Sequence, residues 1–258
     1  HTGGVYDEWT VIAPDGRHWK AVSDGSLGSR STSAEVVTPI LKWDDMDTLQ
    51  AVVRELRKAG AKTPECTSQH VHIGVRDFNA RQIANFARIF YKQEELLLKA
   101  AGTLQRRIDS YTRRTDREFI ARLEKAKPTT REELNKAWFG YSNPNPAHYD
   151  SMRYHAINLN NVWRTGTVEV RAFNGTTHAG EVKSHIVLCL AIAALAKNAK
   201  CASTKNQRPF CAESAKYDMR VFLLRLGLIG PEFKNVRMHL LKHLPGNTAW
   251  KHGRPEGR

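Results

Sequence analysis

Cysteine is scarce in this chain and follows no pattern. The 258 residues carry four, Cys66, Cys189, Cys201 and Cys211, with no C-x-x-C pair. That excludes a disulfide framework as the source of stability and reads as a reduced, cytoplasmic protein. Cys66-x3-His70-x-His72 lacks a fourth ligand at recognisable spacing, so structural zinc is not expected. Membrane-length apolar sequence is also missing. The longest such run, Ile186 to Ala196, is about 11 residues where a span needs about 20, and it reads as a buried helix. His1-Thr2-Gly3-Gly4 shows neither a basic n-region nor an apolar h-region, so no signal peptide is expected. There are no internal repeats and no low-complexity segment. Acidic residues are in deficit: 26 Asp and Glu against 40 Lys and Arg leave a net charge of +14. Such a balance suits an anionic partner. Yet the basic residues are dispersed, densest over 105–127, and aromatics do not interleave with them as a base-stacking platform requires. Nucleic acid is therefore a secondary expectation.

What is present is a set of short strands with chemistry on one side. Thr167 to Phe173 alternates at period two, placing Val168, Val170 and Ala172 on one face and Glu169 and Arg171 together on the other. In Gln69-His70-Val71-His72-Ile73, both imidazoles share a face opposite Val71 and Ile73. Ser33-Ala34-Glu35-Val36-Val37 sets a carboxylate in a short apolar strand. Ala156 to Asn160 puts Asn158 and Asn160 on one face opposite Ile157 and Leu159. If these four strands lie in one sheet, its polar face carries ligands for a hard metal and for phosphate.

Around them the chain reads in order. Trp9–Ala13 and Trp19–Val22 flank Pro14-Asp15-Gly16-Arg17, a hairpin with turn chemistry in its loop. Asp24-Gly25-Ser26 marks a tight turn. Asp44–Asp47 opens an amphipathic helix that Gly60 closes. Asn79 caps a long helix to Gly102, and a basic helical stretch continues toward Lys127. Thr129–Glu133 is a capping box for a helix through Trp138. Tyr141–Pro146 is a loop, and Trp163–Gly166 reads as a hairpin turn. Glu181–Lys197 is the most apolar helix. Residues 212–258 read as a helical C-terminal cap ending in a frayed basic tail. Antiparallel strands with long helices between them argue for α+β: a mainly antiparallel sheet, helices packed on one face, the polar face left open and concave.

The ordered set Trp19-Lys20…Asp24-Gly25-Ser26-Leu27, Ala34–Pro39, His70-Val71-His72, Asn158-Leu159 and Thr167–Thr176 resembles the amidoligases, a branch of the carboxylate–amine ligases with a glutamine-synthetase-like fold. Leu223–Gly230 looks like that family's tail. The resemblance spans nearly the whole chain and implies one catalytic domain over 1–258. Family members usually begin with a G-x-E-x-E strand; here His1–Tyr6 looks like the segment that follows it.

The resemblance implies an ATP- and Mg2+-dependent ligase, with Mn2+ an alternative metal, that joins an amino-acid, peptide or protein carboxylate to an amine through an acyl phosphate. It implies Glu169, His70 and Glu35 as metal ligands, and Arg171, His70 and Arg153 on the phosphates. Arg171 would stabilise the transferring group, and Glu35 would serve the second metal or the incoming ammonium. His72, Asn158, Asp24 and Ser26 would contact substrate. Two alternatives stand beside it: a nucleotide-binding member that does not turn over, and a basic polyanion-binding protein.

Overall fold

The computed structural model describes residues 7–29, 31–205 and 209–252. These fall into two compact units, one over residues up to 67 together with 177–179, the other over 68–176 and 180 onward. The expectations for His1–Tyr6 and for the tail beyond His252 lie outside the described residues.

In the first unit, β1 (Glu8–Ile12), β2 (His18–Val22) and β3 (Glu35–Val37) form an antiparallel sheet in that order. The hairpin between β1 and β2 is the one its turn residues predict. Gly16 sits at φ +80, a conformation glycine reaches without strain. Arg17, at the end of that turn, forks onto both oxygens of Asp45 at 2.6 and 2.8 Å and also bonds Asp15. Asp45 precedes α1 (Met46–Lys58), so the fork ties the hairpin to the helix start. It also holds the Asp45 carboxyl down at about 2. α1 buries Met46, Leu49 and Val53, residues spaced as one helical stripe.

In the second unit, β4 (Ser68–Gly74) leads to α2 (Ala80–Ala100), capped as expected by Asn79 with Gln82 closing the box. The basic stretch that follows is not one helix. It breaks into α3 (Gln105–Ile108) and α4 (Arg117–Ala126), because Asp116 caps a new N-terminus with bonds to Glu118 N and Phe119 N. Next come α5 (Arg131–Phe139), β5 (Ile157–Asn158), α6 (Asn160–Arg164), β6 (Thr167–Asn174) and α7 (Ala179–Asn198). Helices α8 (Ala215–Arg225) and α9 (Lys234–Leu241) follow. The second sheet is antiparallel with order β4-β6-β5. Its apolar face, Val71, Ile73, Val168 and Val170, joins Phe86, Phe119, Trp138, Ile192 and Leu223 in one core. α7 is long and apolar enough to cross a membrane by composition, yet 56% of that window is buried inside the fold, as a core helix would be.

Three expectations are corrected. The four strands do not share a sheet: β3, with Glu35, belongs to the first. The segment before β6 is not a hairpin: after two strand residues the chain turns into α6, which removes Asn160 from the strand face and points its Oδ1 at Trp138 Nε1. The polar face of the second sheet is not open, since Glu169 is 2% and Arg171 5% exposed. The Tyr111 carbonyl and the Tyr154 ring lie against Arg171.

Candidate active site

The pairing register builds the site. Across the sheet, Glu169 on the central strand stands between His72 on β4 and Asn158 on β5. Near His70 the register shifts: Gln69 pairs with Phe173 but Val71 with Val170, so β6 carries one extra residue at Arg171–Ala172. Such bulges re-aim side chains and recur beside active sites. Arg171 Nη1 donates to Glu169 Oε1 at 2.7 Å. His70 Nδ1 lies 3.2 Å from the same oxygen, and His72 Nε2 3.7 Å away. The second oxygen, Oε2, accepts from Asn158 Nδ2 at 2.7 Å and Asn161 Nδ2 at 3.2 Å.

These donors decide the charge states. Burial pushes the Glu169 carboxyl up, but Arg171, the two histidines and the Asn158 amide outweigh it and hold the group below the usual carboxylate range. Burial, reinforced by the Arg171 charge, lowers His70 to about 3, so the ring is neutral. Its Nδ1 faces an acceptor-only carboxylate and carries the proton, while Nε2 accepts from Ser68 Oγ at 3.0 Å. His72 is lowered for the same first reason; its Nδ1 lies 3.3 Å from Thr167 Oγ1.

Arg171 is held at two further points, with Nε on the Tyr111 carbonyl at 3.3 Å and the guanidinium 6.0 Å from the Tyr154 ring. Beneath it lies Arg107, 5% exposed, which donates to the carbonyls of Arg171 and Phe173 and to Thr112 Oγ1 and Asn174 Oδ1. No carboxylate among the described residues pairs with Arg107. One carboxylate, two buried guanidiniums and two neutral imidazoles leave a net positive interior, suited to an anion.

The expected residues divide between the units. His70, His72, Asn158, Glu169 and Arg171 converge, and Arg153 lies close enough for its charge to act on His72. Asp24, Ser26 and Glu35 belong to the first unit. There Asp24 caps a short turn by accepting from Ser26 N at 2.8 Å, and Glu35 stands exposed on β3, opposite Val22. Sequence reasoning missed Asn161, Arg107 and Tyr154. Asn161 was hidden because the Trp163–Gly166 segment reads as a hairpin turn, and Arg107 because it stands in what reads as one basic helical stretch toward Lys127.

A protein-family model described as "Putative amidoligase enzyme" matches residues 3–193, which covers most of the chain and every residue of this site. The chain belongs to the amidoligase family. The match stops short of Leu223–Gly230, the segment expected to be the family's tail. No curated protein and no solved structure matches the chain. Family membership suggests a ligase, and the Glu169–Arg171 pair is a deeply buried charge pair at the candidate site.

Proposed function

We propose that this amidoligase is an ATP- and Mg2+-dependent carbon–nitrogen ligase with a glutamine-synthetase-like catalytic fold over 1–258, joining a carboxylate to an amine through an acyl phosphate. The observation that carries the reading is the buried Glu169–Arg171 pair with neutral His70 beside it, in an interior that is positive overall. In such a reaction a carboxylate oxygen attacks the γ-phosphorus of ATP and the bond to ADP breaks. An amine nitrogen then attacks the acyl carbon, the carbon–oxygen bond to phosphate breaks, and the nitrogen gives up a proton.

The physical obstacle is repulsion between two anions, so fixed positive charge must meet them without reorganising. Arg171 fits that task. Its Nη1 and Nε are anchored, and its Nη2 makes no hydrogen bond among the described residues. The planar fork suits phosphate oxygens. Arg107 adds charge from below.

A divalent cation fits the donor chemistry. His70 Nδ1 and Glu169 Oε1 are 3.2 Å apart, near the roughly 2.9 Å between adjacent ligands on an octahedral ion with 2.0–2.1 Å bonds. Burial keeps that imidazole neutral, as a ligand must be, and with an ion bound its proton would sit on Nε2, donated to Ser68 Oγ, so that Nδ1 offers its lone pair. His70 and Glu169 would hold the ion, Glu35 being the proposed ligand of a second, and the ion would neutralise phosphate charge. Asn158 and Asn161 fix the Glu169 carboxylate from the far side. His72, its side chain about half exposed, would face substrate.

The test is a hydroxylamine trap. Supplied with ATP, Mg2+ or Mn2+ and a panel of acids, the protein should release ADP and form hydroxamate in equal amounts, and Arg171→Gln should remove both. No ADP above background across the panel would overturn the ligase reading.

A further inference from the structure

A cationic wall stands beside the site in the second unit, and no carboxylate among the described residues answers it. Arg153 Nη1 donates to the His148 carbonyl at 2.8 Å. Arg164 Nη2 lies 3.2 Å from His148 Nδ1. A guanidinium only donates, so Nδ1 accepts and the ring proton sits on Nε2. His148 thus sets the two arginines side by side.

The wall is tied to the site by cation–π contacts. The Arg153 guanidinium lies 5.5 Å from the Tyr149 ring and 5.7 Å from Tyr154, and Tyr154 in turn lies 6.0 Å from Arg171. Two aromatic rings therefore lie near Arg153, and its Nη1 is held by the His148 carbonyl. What remains is the Nε–Nη2 edge. Nε is buried with no hydrogen-bond partner. A polar atom left this way is a cost that a ligand oxygen reaching that edge would offset. Arg171 already has Glu169 as its counter-charge; Arg153 and Arg164 have none.

We propose that Arg153 and Arg164, set by His148, bind a second carboxylate of the acid substrate, so that this amidoligase acts on dicarboxylates, such as acidic amino acids or peptides carrying one, in preference to simple monocarboxylic acids. The proposal rests on the ligase reading above. It moves Arg153 from the phosphate side, where the sequence suggested it, to the substrate side. A guanidinium offers its N–H donors only in its own plane, and a planar two-oxygen anion meets the Nε–Nη2 edge with two parallel bonds. The phosphates retain Arg171.

The experiment is calorimetric titration of the full chain, without nucleotide or metal, using glutarate, butyrate and tripolyphosphate. Glutarate should bind at least about ten-fold more tightly than butyrate. Arg164→Gln changes an exposed side chain and should fold as the parent does. It should weaken glutarate about ten-fold while leaving tripolyphosphate within about two-fold; Arg153→Gln should do the same. Equal affinities for glutarate and butyrate, or an unchanged glutarate affinity in Arg164→Gln, would overturn the proposal. So would a matching loss of tripolyphosphate affinity, which would make the wall a phosphate site. Should Arg153→Gln fail to fold, Arg164→Gln decides alone. Because no turnover is measured, a failed hydroxylamine trap with the glutarate preference intact would count against the ligase chemistry and not against the wall.

Discussion

Arg171 Nη1 and Glu169 Oε1 meet at 2.7 Å with both side chains almost wholly buried. A pair this deep is worth little as a net source of stability, because desolvation cancels most of the attraction, but breaking it strands a charge. Glu169→Ala should therefore cost about 3–5 kcal/mol, leaving Arg171 next to Arg107 with no counter-charge. Glu169→Gln keeps the shape and one acceptor oxygen and should cost less. Urea unfolding of both variants checks the order. It also warns that loss of activity in Glu169→Ala cannot be assigned to chemistry alone, whereas Glu169→Gln, if folded, tests the carboxylate itself. Equal midpoints for the two would contradict the buried-pair account.

Arg171→Lys separates charge from geometry. Lysine keeps the positive charge but cannot bond Glu169 and the Tyr111 carbonyl in one plane while presenting a third nitrogen outward. Tripolyphosphate affinity should fall about ten-fold, while the melting temperature shifts much less than in Glu169→Ala. Calorimetry and a thermal melt on the same sample check it. Unchanged polyphosphate affinity would remove Arg171 from the phosphate site.

The parts of the site visible in the sequence are those set by period-two alternation. Glu169 with Arg171, and His70 with His72, are two residues apart on strands, and two residues apart is one face. The pairing that joins the strands is also latent there, since Val168 and Val170 need Val71 and Ile73 beneath the same helices. The helix caps at Asn79 and Thr130 were equally plain, because capping is local chemistry. Asn161 was not visible: α6 is five residues long, too short for a periodic signal. Arg107 was not either, because a buried arginine spelled among exposed ones looks the same; only its four acceptors, from Thr112 and from β6, reveal it. The assignment of β3 to a separate sheet depends on partners the residues of Glu35–Val37 do not specify.

His185 gives a pH dependence with a defined sign. Its ring stacks on Phe173 at 4.1 Å, bonds Gln69 through Nδ1 at 2.8 Å, and burial lowers it to about 3. In the unfolded chain the same ring titrates near 6.5. Below that pH the unfolded state takes up a proton that the native state refuses, so stability is full above about 6.5 and falls as pH drops toward 3. His70 contributes in the same direction. His185→Phe keeps a stacking ring but cannot titrate. Its melting temperature should be lower at pH 7.5, where Gln69 loses its partner, yet should fall less than the parent's between pH 7.5 and 5. An acid limb as steep as the parent's would exclude His185 as a contributor.

Arg107 makes the last case, because its charge and its hydrogen bonds can be tested apart. It is a buried cation whose partners are carbonyl, hydroxyl and amide oxygens, and burial with the nearby Arg171 charge lowers it to about 10. It pins the Arg171–Phe173 backbone, where β6 is bulged and its ladder with β4 is interrupted. Arg107→Lys keeps a cation but has one nitrogen where the fork uses two, and should lose about 2–3 kcal/mol in urea unfolding. Arg107→Met removes the charge as well. Both leave the strand carbonyls short of donors, but only Arg107→Met takes a positive charge from beneath the proposed anion site. Tripolyphosphate should therefore bind less tightly to Arg107→Met than to Arg107→Lys, with the gap narrowing as salt is raised from 50 to 200 mM and charges are screened. If the two variants bound it equally at low salt, Arg107 would be a brace for β6 and no part of the field that draws the anion in.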